Sequence, residues 1–400
     1  MKKVLVIVNA EKISPNNNGG GAFIYSHLDL LHKANCEIIL LAVQWNDMYP
    51  FIKEDYTEIE PLVTEIISYK IKSIKPNKGI QRLYNSIFNP TKFEYHFINN
   101  HNTDSLKEIV NRHKIDLVWA EWRWAAIWAM ETKLDVPKIY SHHDWEYKLA
   151  LLRAKPNLNK KFHTFQKKRV EMKMVKTMDA CISGSFTETQ EIKTISKKQA
   201  LYLPTTYDSV KIDLKPNKFP SLIHLGGMGT TANRLGLERF LEVCWQDIKK
   251  AVPNIQLKII GNLKNAQSSL TQKLEDNQII KVGFVKDLST ELYPEDIHII
   301  PWEYNTGTRT RVPVILNYQQ VLVGTSEAVK CFPEINSKNA ILCQGLNVMK
   351  DAIIDLYSDR EKLHLLATSG KKTFKETFTS ESQTKPLKDF LKQFISEKND

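Results

Sequence analysis

The chain of 400 residues is 42% apolar and 25% charged, which excludes extensive disorder and suits two domains of about 200 residues each. Its net charge of +11 indicates an anionic partner, such as a nucleotide, a membrane surface or nucleic acid, without choosing among them. The five cysteines form no Cys-x-x-Cys pair and no apolar run reaches about 18 residues, which argues against disulfides, a zinc site and a membrane span.

The first half of the chain alternates apolar segments with helical patterns. Residues 3–10 predict a buried first strand, because their apolar run is too short for a signal peptide. Residues 22–35 then place Phe23, His27 and Leu31 on one face of a helix. Further strands are predicted at residues 37–43, 115–121, 138–142, 179–183 and 199–203.

The same alternation restarts after a polar stretch. Residues 207–220 contain two prolines among polar side chains and predict a linker. A helix is predicted over residues 234–251. Strands are predicted at residues 221–225, 256–260, 280–285, 296–301 and 321–325.

Apolar strands separated by helices indicate parallel sheets that are covered on both faces. The sequence therefore predicts an α/β protein with two Rossmann-like, doubly wound domains that face each other across a cleft. The predicted bounds are 1–206 for the first domain, 207–220 for the linker, 221–380 for the second domain and 381–400 for a helix that packs back on the body.

A glycine-rich segment lies between the first strand and the first helix. Gly20 and Gly21 would let backbone N–H groups approach a ligand, and a helix N-terminus favours an anion. The segment matches neither the dinucleotide fingerprint nor the P-loop. Because asparagines fill residues 16–18 just before it, a flexible surface turn is the alternative to ligand contact.

Residues 222–262 and 282–311 together resemble the donor-binding half of bacterial group 1, or family-four, GT-B glycosyltransferases. The shared features are an apolar strand followed by Gly226 and Gly227, Asn233 before a helix that ends in proline, and a Gly-Thr-Arg-Thr-Arg segment at 307–311. These pieces occur in the family's order, and with the first domain the resemblance covers almost the whole chain.

The resemblance implies that the second domain binds a nucleotide sugar and that the first domain binds an acceptor. Charge builds on the pyrophosphate as the glycosidic bond breaks, and the N–H groups of Gly226 and Gly227 with Arg309 or Arg311 could stabilise it without a metal. For each arginine the alternative is a solvated helix-terminal charge, and for Asn233 it is a helix N-cap. The remaining predicted donor contacts are Gly20, Gly21, Asn233, Arg234 and Thr308.

The chain departs from the family at two glutamate positions and in the Ala-x-Gly-x-Pro pattern that follows them, which is altered to Asn317, Gln319 and Val321. Thr306 and Val314 stand where the resemblance places two glutamates, one of which commonly binds the donor ribose. A valine cannot accept hydrogen bonds from ribose hydroxyls. Donor recognition must therefore differ from the family's, or the site is weakened, and the stereochemical outcome stays undetermined.

A histidine pair follows the predicted strand at 138–142. His143 and Asp144 resemble the family's His-Asp stretch near the sugar, which implies a hydrogen bond from His143 to the transferred sugar. An inverting mechanism would need a base for the acceptor hydroxyl, and Asp144, Glu146 and His142 are the candidates. The alternative is a helix N-cap at Asp144 with one histidine in the core. No third ligand at useful spacing supports a metal site.

Glu121 ends another predicted strand and is followed by an aromatic and basic segment, residues 122–124. Aromatic faces stack on sugar rings, and Glu121 could reach an acceptor hydroxyl. The rival interpretation is core packing with an Arg–Glu ion pair.

Two segments, residues 70–96 and 160–176, mix basic with aromatic or apolar side chains. Such patches could hold the protein on an anionic leaflet where a lipid-linked acceptor waits. The alternative is a solvated loop and an ordinary amphipathic helix.

The sequence thus predicts a cytoplasmic glycosyltransferase, peripheral on the inner face of the membrane if these patches bind lipid. It would move a sugar from a nucleotide sugar to a glycan, lipid-linked or protein-linked acceptor, with no metal, cofactor or nucleic-acid partner. One alternative is a catalytically inactive GT-B subunit that binds a partner, which the missing glutamates would explain. Another is a GT-B sugar-nucleotide epimerase, for which the second half offers too few carboxylates.

Overall fold

The computed structural model describes residues 1–15, 19–45, 50–72, 78–153, 157–264, 266 and 268–395. The chain divides into two compact units. The first unit comprises Met1–Thr205, the short segment Thr306–Thr308 and the residues from Gln383 on. The second unit comprises Thr206–Asn305 and Arg309–Ser382.

The first unit contains a seven-stranded parallel sheet in the order β3-β2-β1-β4-β5-β6-β7. The chain runs outward from β1 to β3 and then returns to β4 on the other side of β1, so the winding reverses between β1 and β4. The strands are β1 Lys2–Asn9, β2 Cys36–Gln44, β3 Glu65–Lys70, β4 Leu117–Glu121, β5 Lys138–His142, β6 Ala180–Ser183 and β7 Ala200–Tyr202.

Helices cover both faces of this sheet. Alternate side chains of the central strands are therefore buried on opposite sides of it. One core contains Leu5 and Ile7 of β1, and the other contains Val4 and Val6. The helices are α1 Gly19–Lys33, α2 Gly79–Phe88, α3 Pro90–Glu94, α4 Asn100–Arg112, α5 Trp122–Glu131, α6 Glu146–Arg153, α7 Leu158–Thr177 and α8 Phe186–Ser196, with a 3-10 turn at Lys53–Tyr56.

The second unit contains a six-stranded parallel sheet in the order β10-β9-β8-β11-β12-β13. Its winding reverses between β8 and β11, in the same way as between β1 and β4. The strands are β8 Leu222–Leu225, β9 Leu257–Ile260, β10 Ile279–Gly283, β11 Ile297–Ile300, β12 Val321–Thr325 and β13 Ala340–Cys343.

The helices that pack on this second sheet include one long segment whose middle turn, Leu241–Trp245, is a π-helix. They are α9 Thr231–Phe240, α10 Gln246–Ala251, α11 Ser268–Lys273, α12 Arg311–Asn317, α13 Ser326–Val329, α14 Leu346–Ser358 and α15 Arg360–Thr377, with a 3-10 turn at Leu288–Thr290. The last helix, α16 Ser380–Leu391, belongs mostly to the first unit. Leu387, Phe390 and Leu391 of α16 lie in the core of the first unit.

The predicted doubly wound parallel sheets are confirmed, and the predicted strands lie within two residues of the observed ones. Two strands were not predicted, β3 and β13, and both are at sheet edges. The sequence of β3 has no long apolar run, as expected of a strand that is partly exposed. Residues 19–21 form the first turn of α1 rather than a loop, and the helix predicted from residue 234 begins at Thr231.

Candidate functional site

In doubly wound sheets, ligands bind at the carboxyl ends of the strands where the winding reverses. β4 lies beside β1 at this point of the first unit, and its last residue is Glu121. The Glu121 side chain is fully buried, and Oε1 accepts hydrogen bonds from His27 Nδ1 at 2.7 Å and from Trp119 Nε1 at 2.7 Å. Oε2 lies 2.9 Å from His143 Nε2. One carboxylate therefore joins α1, β4 and the segment after β5.

His143 is the member of this group that reaches solvent. Its side chain is 10% exposed, whereas the side chains of His27 and Glu121 are 0% exposed. The imidazole stacks on the Trp122 indole, with ring centroids 3.7 Å apart and planes 17° apart, and meets the edge of Phe23 at 4.6 Å. The ring is thus held on two sides.

Trp122, the first residue of α5, has a φ of +68°. This left-handed conformation costs a residue with a side chain about 1–2 kcal/mol, and it is rare for a bulky one. Strain of this kind persists where the surrounding structure enforces it, and such positions cluster at functional sites. Here it places the indole against His143.

The charges of this group depend on one another. Burial raises the pKa of Glu121, but the charge of His27 and hydrogen bonds from His143 and His27 outweigh it and hold that pKa well below its usual range. Burial lowers the pKa of His143 although Glu121 opposes the shift. At neutral pH, Glu121 is therefore ionised and His143 is neutral. The carboxylate fixes the tautomer in which Nε2 carries the proton, so Nδ1 is the basic nitrogen of His143.

A second polar group lies beside this one in the first unit. His142 is fully buried, with Nδ1 3.1 Å from the Tyr140 hydroxyl and Nε2 3.2 Å from Glu188 Oε2, without the alignment of a hydrogen bond in the latter case. Glu188 Oε1 accepts from the backbone N–H of Gly307 at 3.1 Å. Gly307 has a φ of +62°, and a Cβ there would lie 1.7 Å from Asp144 Oδ1. The left-handed φ favours glycine at this position, and any larger residue would have to displace the Asp144 carboxylate that packs against it.

Glu146 and Arg123 belong to a separate ion-pair network. The Glu146 carboxylate lies 3.0 Å from Lys167 Nζ and 3.9 Å from Arg123 Nη1. Arg123 also lies 3.3 Å from the buried carboxylate of Glu171. Glu171 accepts the backbone N–H groups of Glu146 and Tyr147 as well, which lower its pKa against the larger, raising effect of burial. The predicted Arg–Glu ion pair thus exists, but its acid is Glu171.

The second unit has a glycine turn directly after β8. Gly226 has a φ of +141°, and a Cβ there would lie 2.3 Å from Asn233 Nδ2, so a side chain is excluded. Asn233 Nδ2 donates to Gly227 O at 3.2 Å. Asn233 lies in the first turn of α9, which begins at Thr231 after an N-cap at Thr230. The alternative interpretation of Asn233 as an N-cap is therefore wrong.

Arg311, the first residue of α12, is buried against this turn. Its Nη1 donates to Leu225 O at 2.5 Å and to Asn233 Oδ1 at 3.1 Å, while Nε is buried without a hydrogen-bond partner. Within the described part of the chain, no carboxylate forms an ion pair with Arg311. Burial, with a contribution from the charge of Arg309, lowers its pKa to about 9. The fold thus holds a positive charge that its own described residues do not neutralise.

Two further histidines lie in the same region of the second unit. His224 of β8 is fully buried with neither ring nitrogen hydrogen-bonded, and burial, then the charges of Arg311 and His298, hold its pKa well below its usual range. His298 Nδ1 lies 2.8 Å from Gln320 Oε1, and burial lowers its pKa to about 3. Both rings are neutral at neutral pH, so neither adds to the positive charge of Arg311.

The structure therefore brings together some of the predicted donor contacts. Gly226, Gly227, Asn233 and Arg311 form one hydrogen-bonded group, and Arg309 is close enough to affect the pKa of Arg311. Arg234 lies half-buried in α9 without a described side-chain contact to this group. The other predicted contacts, Gly20, Gly21 and Thr308, belong to the first unit.

Sequence reasoning did not identify His27, Trp119 or Glu188 as site residues. The signal for His27 was present, because a histidine occupied the otherwise apolar face of the first helix. Among the described residues, no group of His, Cys, Asp and Glu side chains has the arrangement of a metal site. No helix within the residues that the structure describes is long and apolar enough to span a membrane.

No protein-family model matches the sequence, and no curated protein matches it significantly. Solved structures do match. Sucrose-phosphate synthase from Thermosynechococcus elongatus aligns with a TM-score of 0.70 at 13% identity, over 98% of this chain and 99% of its own. A glycosyltransferase from Rickettsia africae aligns with a TM-score of 0.68 at 13% identity, over 99% of both chains. Anabaena HepE in complex with UDP and glucose aligns with a TM-score of 0.67 at 11% identity, over 98% of this chain and 100% of its own. Likeness at such identities shows a shared fold.

Proposed function

We propose that this chain, which has the GT-B fold, is a glycosyltransferase that moves a sugar from a nucleotide sugar to a glycan, lipid-linked or protein-linked acceptor. The observation that carries the proposal is the buried guanidinium of Arg311, which has no described carboxylate partner. A buried charge without a counter-charge is costly, and a ligand anion would offset that cost. The diphosphate of a nucleotide sugar is such an anion.

Arg311 and the glycine turn supply what a departing diphosphate requires. Negative charge grows on its oxygens as the glycosidic bond breaks, so preorganised donors lower the barrier. We assign this role to Arg311 and Arg309, with the backbone N–H groups of Gly226 and Gly227 beside them. Asn233 orients Arg311 through its Oδ1. Because HepE was solved with UDP and glucose, uridine diphosphate sugars are the first donors to test.

We assign acceptor activation in the first unit to His143. In its neutral form Nδ1 can accept a proton from an acceptor hydroxyl, while Glu121 stabilises the imidazolium that results. Glu121 itself is a positioning residue, because both of its oxygens are hydrogen-bonded and it is fully buried. Asp144 is the second candidate base. Glu146 is less suited, since Lys167 neutralises it.

Thermal melting with a panel of nucleotides tests the proposal. We expect UDP, GDP, dTDP or CMP, or one of their sugars, to raise the melting temperature by a degree or more, since a ligand at 100 times its dissociation constant adds about 2.7 kcal/mol. Arg311→Met should abolish the shift, whereas Arg239→Met, an exposed arginine of α9 paired with Glu242, should keep it. Absence of any shift at millimolar concentrations would contradict the proposal.

The inactive-subunit alternative has one observation in its favour. Val314, at the position of a family glutamate, packs against the apolar cluster of Ile223, Ile260 and Leu292 and offers no acceptor for ribose. If a nucleotide sugar stabilises the protein but its nucleoside diphosphate is never released with any glycan or lipid-linked acceptor, the chain is a binding subunit. Release together with a new glycoside, resolved by the anomeric proton signals, supports transfer and gives its stereochemistry.

We place the reaction in the cytoplasm, where nucleotide sugars would be available and thiols stay reduced. All five cysteines are buried and free, as expected of a protein that needs no disulfide.

A further inference from the structure

Helix α2 of the first unit faces its apolar side away from the protein. Its buried residues are the polar Asn85 and Ser86. In a water-soluble protein an amphipathic helix buries its apolar stripe, so this orientation is inverted. The exposed apolar side chains, with their exposed fractions, are Ile80 87%, Leu83 62%, Tyr84 54%, Ile87 50% and Phe88 69%.

The buried polar face of α2 is held in place by α7. Gln166 Nε2 donates to Ser86 O at 2.9 Å, and Arg169 donates to Ser86 O at 2.8 Å and to Ile87 O at 2.6 Å. These bonds satisfy the carbonyl groups at the end of α2. The inverted orientation is therefore fixed by specific hydrogen bonds.

Helix α7 extends the apolar surface. Leu158, Phe162 and Phe165 are 86%, 42% and 57% exposed, and their spacing of four and three residues puts them on one face. Phe93 of α3 joins the two helices, because it contacts Phe162 with ring centroids 5.8 Å apart and the Arg82 guanidinium of α2 at 5.6 Å. The exposed apolar side chains of α2 and α7 thus form one surface, the α2–α7 face.

Basic residues border the α2–α7 face, and acidic residues nearby are already paired. Between residues 78 and 94 the only acid is Glu94, which lies 3.3 Å from His163. Between residues 158 and 177 the only acid is Glu171, which is buried and paired with Arg123. The exposed basic side chains of these two segments are Lys78, Arg82, Lys92, Lys160, Lys161, Lys168 and Lys176, besides Lys173, which pairs with Glu131 of α5 at 2.7 Å.

We propose that the α2–α7 face docks on the surface of an anionic lipid bilayer. Apolar side chains would enter the boundary between headgroups and acyl chains, and the lysines would reach the lipid phosphates. The composition favours lipid over a protein partner, since lysine is depleted in protein interfaces but common on membrane-binding faces. This inference goes beyond the proposed transfer reaction and does not depend on it.

Sedimentation with lipid vesicles tests the inference on the full-length protein without any nucleotide. We expect binding to vesicles that mix phosphatidylglycerol with phosphatidylcholine, and much weaker binding to phosphatidylcholine alone. The variant Leu83→Gln, Ile87→Gln, Phe88→Gln should lose binding at least about tenfold, because it removes three insertion points. Leu365→Gln replaces a leucine of α15 that is 60% exposed, close to the 62% of Leu83, and should bind like the wild type.

A charge variant separates the electrostatic part of the binding. Lys160→Gln with Lys161→Gln should weaken binding to anionic vesicles about tenfold or more, given the attraction of each lysine to an anionic surface. The double variant Lys211→Gln, Lys372→Gln removes the same charge from exposed sites in the second unit and should change little. Equal losses in both double variants would mean general charge attraction and would overturn the inference.

Two other results would also overturn it. One is equal binding of wild type and the α2 triple variant to anionic vesicles. The other is concentration-dependent self-association in light scattering that the triple variant abolishes while vesicle binding is absent, which would make this face an interface between copies of the chain. Because nucleotide binding is measured separately by melting, failure here leaves the proposed transferase function untouched.

Discussion

At the reversal point of the first sheet, His27 and His143 share the carboxylate of Glu121, whereas at the corresponding point of the second sheet Arg311 has no described carboxylate partner. In the first group, two imidazoles and an indole surround one acid and hydrogen-bond to its carboxylate. The second group leaves one positive charge buried against backbone carbonyls and an amide. The first site is therefore preorganised by hydrogen bonds among its own residues, while the second, on the proposed function, awaits an anion that would offset its charge.

Among the variants proposed here, removal of the Glu121 carboxylate should lower the stability of the protein the most. Glu121→Leu leaves two buried histidines and the Trp119 indole without their acceptor, so we expect the free energy of unfolding to fall by about 3–5 kcal/mol. Glu121→Gln should cost less, about 1–3 kcal/mol, because it keeps part of the hydrogen bonding. Urea unfolding measures both. Glu131→Gln, on the surface of α5, is the control, and an equal loss there would contradict this account.

The pH dependence of stability tests the charge state of His143. Its pKa is lowered in the folded protein, so the unfolded chain takes up the proton first, and stability should fall as pH drops below about 6.5. The slope from this proton is at most about 1.4 kcal/mol per pH unit. Glu121 adds little between about pH 7 and 5, because its pKa is lowered in the folded protein and the unfolded chain takes up its proton mainly near and below about pH 4.5.

His143→Gln should weaken this dependence by removing the proton concerned, while the buried His224 and His298, whose pKa values are also lowered, retain the rest of it. Urea midpoints at about pH 7 and about pH 5 provide the measurement. If wild type and variant lose stability equally over this range, the imidazole of His143 does not have a lowered pKa, and its assignment as a neutral base is wrong.

The strain at Trp122 predicts a difference in stability between two variants, smaller than the effect of removing Glu121. Trp122→Ala and Trp122→Gly both remove the indole that stacks on His143, but only glycine accepts a φ of +68° without cost. Trp122→Gly should therefore be more stable than Trp122→Ala by about 1 kcal/mol. The opposite order, which glycine normally shows within helices, would mean that the conformation relaxes once the indole is gone.

Removing the uncompensated cation should have the smallest effect on stability. Arg311→Met eliminates a buried charge and costs two hydrogen bonds, so the free energy of unfolding should change by less than about 1 kcal/mol. Arg123→Met is the comparison, because that half-buried arginine pairs with the buried carboxylate of Glu171, and leaving this acid unpaired should cost about 3–5 kcal/mol. Similar losses of stability in both variants would contradict the view that Arg311 is uncompensated and Arg123 is paired.

Much of the fold was predictable because the central strands of doubly wound sheets are continuous apolar runs. Strands such as β5 and β12 were predicted with their observed bounds. β3 was missed because its exposed polar side chains leave only the two adjacent apolar residues Ile66 and Ile67. β13 is an apolar run of only four residues, Ala340–Cys343, which pattern alone does not distinguish from a buried helix segment. Where an edge strand pairs depends on the neighbouring strand, which local sequence does not encode.

The candidate site was only partly predictable. Arg311 and the glycine turn were found through an ordered resemblance, but the burial of the guanidinium was not predicted, because it depends on Leu225 and Asn233. His27 and Glu121 are 94 residues apart in sequence and meet only because β4 returns beside β1. Similarly, the pattern of α2 shows two faces but not which face points outward; that is decided by Gln166 and Arg169.

Titration calorimetry with the nucleoside diphosphate selected by melting tests the central claim, that Arg311 binds the diphosphate. We expect one saturable site in the wild type and in Arg239→Met, and at least about a tenfold weaker affinity, or about 1.4 kcal/mol, in Arg311→Met. Equal affinity in all three proteins would contradict the claim, because the buried charge of Arg311 would then have no part in binding the anion.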